Sequence, residues 1–186
     1  MLLWIILAIA VIIVALVIMA YNRLIALKNQ TLNGWKQIDV QLKRRHDLIP
    51  NLVETVKGAM KFEQTTLTRV IEARSKAMAA QGIAEKAVQE NVLTGALKSL
   101  FALAESYPDL KSNANVARLQ EELSSTENRI GFARQFYNDV ATQFNIAQQS
   151  FPTNMIASIF GFKNAELFEI TDVTERAVPK VDLNIK

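Results

Sequence analysis

The run Lys43-Arg44-Arg45-His46-Asp47 is the densest set of titratable side chains in the sequence, and it holds the single histidine. Cations at that density suit an anion, a lipid headgroup or a docking partner. The alternative is a structural corner, with Asp47 and Asn51 satisfying a turn and the basic groups finding acids on neighbouring helices. Register separates the members of the run. On a continuous helix Arg45 falls between Ile38 and Leu52 on the apolar face, which calls for a paired, partly buried guanidinium. Lys43 lies about 23 residues beyond Ala20, roughly 35 Å along a helix and far beyond a Debye length of ~8 Å. Lipid binding there would require the helix to bend over.

Other chemistries lack their residues. There are no cysteines, so disulfides, thiolate metal sites and cysteine nucleophiles are excluded. A lone histidine without Glu-x-x-His or His-x-x-x-His spacing gives neither a bundle di-metal site nor a serine triad. No Gly-rich phosphate loop occurs. Catalytic, cofactor-binding and metal residues are therefore not expected. His46, Asp47 and Asp139 are the positions to substitute in testing for an enzyme. The net charge of +3, from 21 basic and 18 acidic residues, is no argument for nucleic acid, and no small-molecule substrate is expected.

The elements that must position these residues begin with Leu2 to Ala20, an apolar run without charge. As a helix it rises roughly 28 Å, the thickness of a bilayer's hydrocarbon core. Trp4 and Tyr21 stand at its ends, where aromatic rings favour the interface. No basic segment precedes the run and bulky Ile18 precedes the one plausible cleavage point, so a retained anchor over residues 1–20 is expected rather than a signal peptide. Arg23, Lys28 and Lys36 follow with no acid before Asp39, which favours an outside N-terminus and a cytoplasmic bundle.

Helical periodicity continues through Tyr21 to Arg45, with Trp35, Leu42, Ile49 and Val56 every seven residues, interleaved with Ile38 and Leu52. Gly34 interrupts the pattern without an evident reason. Pro50 predicts a kink or a new helix start. A second helix is expected over about Asn51 to Met78, with Val53, Val56, Met60, Leu67, Val70 and Ile71 inside. A third, about Ala84 to Glu105, places Val88, Val92, Leu97, Leu100 and Ala104 on a stripe. The clearest pattern is the fourth: Val116, Leu119, Leu123, Thr126, Ile130, Ala133, Tyr137, Val140, Phe144 and Ala147, a seam of about ten turns. Gln135, Tyr137, Asn138 and Asn145 on this helix read as solvated polar positions. A helical turn near Asn154 to Ile159 follows. Phe151, Phe160, Phe162 and Phe168 are too many aromatics for a free tail, so this segment should dock, with the last ten or so residues frayed. The fold expected is all-α: an anchor helix over residues 1–20 running into an antiparallel bundle of about four helices over 21–170, and an extended tail over 171–186.

Two stretches carry a family resemblance. One is Tyr21-Asn22-Arg23-Leu24 with Trp35 through Val53, most specific from Gln41 to Val53. The other is Glu127 to Ile130 with Phe132 to Asp139, closing on Phe151-Pro152 and Phe160-Gly161-Phe162. Together they resemble the LemA family of bacterial membrane proteins, although Phe144 stands where relatives often have tyrosine. The resemblance implies an N-terminal anchor, a helical bundle and the bacterial cytoplasmic membrane, and no catalytic activity. One branch of the family is associated with magnetosome membrane formation.

Two functions fit these features. The first is a homo-oligomeric scaffold or organiser, anchored in the lipid bilayer through residues 2–20. The second is an adaptor recruiting a membrane-protein partner, such as an envelope protease or signalling protein. Its interaction residues would be Lys43, Arg44, Arg45, His46 and Asp47, with Phe160 and Phe162.

Overall fold

The computed structural model describes residues 1–58 and 63–169. Its first helix, α1 (Leu2–Lys57), carries the apolar run and the basic run on one continuous rod, about 84 Å long at 1.5 Å per residue. It passes through Pro50 without a break, contrary to the expected kink or helix start. A proline at 50 leaves the carbonyl of His46 without its helical donor. Arg74 supplies one, its Nε donating to that oxygen at 2.8 Å. The residues from Asn51 to Lys57 thus belong to α1, not to the helix that follows.

The remaining helices are α2 (Gln64–Ala79), α3 (Ile83–Ala104), the short α4 (Pro108–Lys111), α5 (Ala114–Gln149) and α6 (Thr153–Ile159). Asn113 caps α5, its side-chain oxygen accepting from the amides of Asn115 and Val116. Helix α5 runs antiparallel to α1 for most of its length, from Glu127 beside Arg45 to Phe144 and Ala147 beside Leu24. Gly34 now has its reason: a Cβ there would lie 3.2 Å from Tyr137 Cα, so glycine lets the two backbones close up.

Three apolar clusters stack along α1. The one farthest from the apolar run joins Ile49, Leu52 and Val56 to α2, α3 and α5 through Val70, Leu93, Leu100 and Leu123. The middle one sets Ile38 and Leu42 against Ile130, Ala133, Tyr137 and Phe168. Nearest the apolar run, Leu24 packs with Phe144, Ala147, Ile156 and Ala157. The bundle therefore has four helices in its outer half, whereas nearer the anchor α6 and the chain after it complete an α1–α5 pair.

The α5 seam is buried as the spacing predicted, with only Leu119 partly exposed. Two stripes are shifted. On α3 the buried face is Ala87, Glu90, Leu93, Leu97, Leu100 and Ala104, leaving Val88 and Val92 exposed. On α2, Ile71 is exposed and Ala73 takes the interior position. Met60 and the tail from 170 onward, with its expected fraying and extended form, lie outside the described residues.

Candidate functional site

The basic run splits on folding. Lys43, Arg44 and Asp47 are exposed, while Arg45 and His46 turn into the bundle. Four helices converge on that inner pair. Glu90 of α3 is fully buried; its Oε2 accepts from Arg45 Nη1 at 3.3 Å and its Oε1 lies 2.7 Å from His46 Nε2. Arg45 Nη2 donates to Thr94 Oγ1 at 2.7 Å, and Nη1 also reaches Glu127 of α5 at 3.1 Å. Arg74 of α2 closes the node through the His46 carbonyl.

A carboxylate with no solvent contact is tolerable only when its lone pairs are filled, and here each oxygen meets a donor. The His46 ring therefore carries its proton on Nε2 in this hydrogen bond. Geometrically the node can fix α1, α3 and α5 in one register. Glu90, Thr94, Arg74 and Glu127 escaped sequence reasoning. The available signal was Arg45 itself, which demanded an acid, and Glu90 stands on the same helix face as Ala87, Leu93 and Leu97.

A second polar device holds the chain after α6. Helix α6 ends on Gly161, whose positive φ of 66° sits in a Schellman motif: Phe162 N donates to Ala157 O and Gly161 N to Ser158 O. The chain then turns back along α5. Asn145 exchanges two hydrogen bonds with the backbone of Ala165, at 2.8 and 2.9 Å, and Asn138 does the same with Phe168, at 2.8 and 3.1 Å. Seven residues of helix rise about 10.5 Å, and three residues of extended chain cover about 10 Å, so the clamp matches in length. Between them the Tyr137 hydroxyl donates to Glu166 O. Burial pushes the Tyr137 phenol above its ordinary pKa, helped by the nearby Glu166 carboxylate. Tyr137 is thus a core residue, and Asn138 and Asn145 are half-buried docking residues rather than solvated ones; Gln135 is exposed as expected. Phe168 is buried between Trp35 and the Arg134 guanidinium, 4.6 Å from its ring centre.

Phe160 and Phe162 sit at the opposite end of the bundle from the basic run. Their rings lie 4.7 and 6.1 Å from that of Tyr21, the residue following the apolar run. The expected interaction residues therefore occupy two separate regions. A third surface, between α1 and α5, is a shallow groove with Val40, Phe132 and Phe136 exposed along it and Lys36, Gln37, Gln41 and Arg129 at its rim.

Residues 34–183 match the model of the LemA family. The chain belongs to the LemA family. Protein LemA of Metamycoplasma hominis is 28% identical over 156 residues, which cover 82% of this chain and 70% of that protein. Magnetosome protein MamQ 2 of Paramagnetospirillum magneticum is 25% identical over 182 residues, covering 84% and 67% of the two chains. Magnetosome protein MamQ of Magnetospirillum gryphiswaldense is 23% identical over 177 residues, covering 81% and 65%. The matched region begins at the close approach of α1 to α5 and contains the buried node, the Asn clamp and the Phe-rich turn. Ahead of it lies a helix segment long and apolar enough to cross a bilayer, with none of its most apolar window buried. This LemA-family protein is membrane-associated.

Proposed function

We infer that the protein is a non-enzymatic, single-pass scaffold that assembles copies of itself at the bacterial cytoplasmic membrane. The observation that carries this reading is the groove between α1 and α5. Phe132 is 74% exposed and Val40 62%, on the two longest and most firmly joined helices of the bundle. Large apolar side chains clustered in a groove with a polar rim suit a protein contact. Because α1 is one rod with the anchor, every copy in the same bilayer presents this strip at the same height. Self-association then needs only lateral diffusion and rotation, and a two-fold or ring arrangement satisfies it. The cations Arg23, Lys28 and Lys36 after the apolar run support an outside N-terminus and a cytoplasmic bundle.

The chain has no cysteine, so Phe132→Cys in the full-length protein gives a single cross-linking site. In native membranes a bismaleimide should yield covalent dimers, and Val40→Glu added to the same chain should abolish them. A thiol that labels freely but never cross-links would refute the scaffold reading. The adaptor remains the second reading, because Lys43, Arg44 and Asp47 are exposed on the outer part of α1. Charge reversal at Lys43 and Arg44 should leave self-assembly intact and remove partner capture if that reading holds.

A further inference from the structure

Helix α6 has two apolar faces, and among the described residues only one is covered by protein. Ile156, Ala157 and Thr153 pack inward against α1 and α5, while Met155 and Ile159 point outward, four residues apart. Phe151, four residues earlier, is 81% exposed, Ile159 74% and Phe160 55%. From Phe151 to Phe162 the chain has no charged residue.

The location of this face is what gives it an occupant. The inner side of α6 packs in the same cluster as Ala20 and Tyr21, the last residue of the apolar run and the aromatic that follows it. The Phe160 ring packs at a tilt against that of Tyr21. The outward face of α6 therefore continues the lipid-facing surface of the anchor sideways, at the height where a bilayer meets water. The charges around it fit the same surface. Among residues 1–38 and 140–165 there is no Asp or Glu, whereas Arg23, Lys28, Lys36 and Lys163 are all present. Lys28 and Lys163 flank Phe160 and Phe162 at one side of this end, and Arg23 lies beside Phe151 and Pro152 at the other. Aromatic and aliphatic groups with a basic rim are the composition of a segment lying in an anionic interface.

We propose that α6, with Phe151, Met155, Ile159 and Phe160, is inserted in the interface of the anionic leaflet as a second membrane contact. The anchor and this foot together would fix the bundle's tilt and rotation relative to the bilayer. The proposal rests on residues 2–20 spanning the membrane, so the experiment reads both. Full-length chains carrying Ile12→Cys, Ile159→Cys or, as the reference on the exposed side of α3 away from the groove, Val88→Cys are labelled with a polarity-sensitive fluorophore. They are reconstituted in vesicles of phosphatidylcholine with phosphatidylglycerol, and circular dichroism checks the helix content of each. Quenching is compared between lipids spin-labelled high in the acyl chain and aqueous iodide.

The Ile12→Cys label reports the anchor and should be quenched from the lipid side alone. The Ile159→Cys label should be quenched by lipid severalfold more than the Val88→Cys label, and be shielded from iodide. This lipid quenching should weaken when Arg23 and Lys163 are both replaced by Gln. Equal iodide access at positions 159 and 88, with position 12 still in lipid, would overturn the foot while keeping the anchor. Shielding from iodide without lipid quenching would overturn it in favour of a second protein copy on α6. An Ile12→Cys label open to iodide would overturn the anchor and the foot together.

Discussion

Replacing Glu90 by alanine tests whether the buried node holds the bundle together. The substitution removes the carboxylate that accepts from Arg45 Nη1 and His46 Nε2 in the absence of solvent. Stranding one partner of a buried ion pair costs about 3–5 kcal/mol. Arg45 is not wholly stranded, since Thr94 at 2.7 Å and Glu127 at 3.1 Å remain. The cost should therefore fall near the lower end, about 3 kcal/mol, or about two decades in the folded-to-unfolded ratio. Glu90→Gln should cost less, about 1 kcal/mol, because the amide oxygen can keep Arg45 while its NH2 donates to the other tautomer of His46. The joint change Arg45→Met with Glu90→Leu should be milder than either single change, since no uncompensated charge is left inside. The assay is urea unfolding of the full chain in mild detergent, followed by circular dichroism. A Glu90→Ala loss below about 1 kcal/mol, or additive single and double changes, would refute the node as a structural keystone.

Three further outcomes follow from the same geometry. Arg74→Met should cost about 1–3 kcal/mol by leaving the His46 carbonyl unpaired, and much less once Pro50→Ala restores a backbone donor at that site; equal costs in the two backgrounds would contradict the pairing. Asn138→Ala and Asn145→Ala should each cost about 1 kcal/mol and expose the chain at Ala165–Phe168 to hydrogen exchange and proteases, with unchanged protection at those amides as the opposing result. Because the folded state holds Tyr137 protonated above its ordinary value of 10.0, the unfolded chain loses that proton first, so stability present below pH 10 falls as pH rises beyond it. Tyr137→Phe should flatten that alkaline slope, and an identical slope would refute the assignment.

Much of the architecture was legible because helix burial repeats. The α5 seam from Val116 to Ala147 could be read residue by residue, as could the continuation of α1 beyond the anchor through Ile38 and Leu42, though not past Pro50. Apart from the shifted α2 stripe, the failures trace to polar groups that find partners inside the bundle. Glu90 occupies a place on α3 where an apolar residue is expected, so Val88 and Val92 looked like the better stripe. Pro50 looked like a boundary because its missing donor is supplied by Arg74, far away in sequence. Asn138 and Asn145 looked solvated because their partners are backbone groups of a non-helical segment, which periodicity does not describe. Of the residues first marked for interaction, Arg45 carried the correct hint in its register, while Lys43, Arg44 and Asp47 do not join it in the interior. Phe160 and Phe162 stand out in the sequence by their aromatic composition and by the family resemblance, and only the fold shows that they stand beside Tyr21.

The most direct test of the scaffold reading is the particle mass of the full-length protein extracted with its surrounding lipid in polymer nanodiscs. The account predicts a discrete multiple of the single-chain mass, reduced to one chain by Val40→Glu with Phe132→Glu. A wild-type protein that is a single chain throughout would contradict it and leave the exposed groove between α1 and α5 to a different partner.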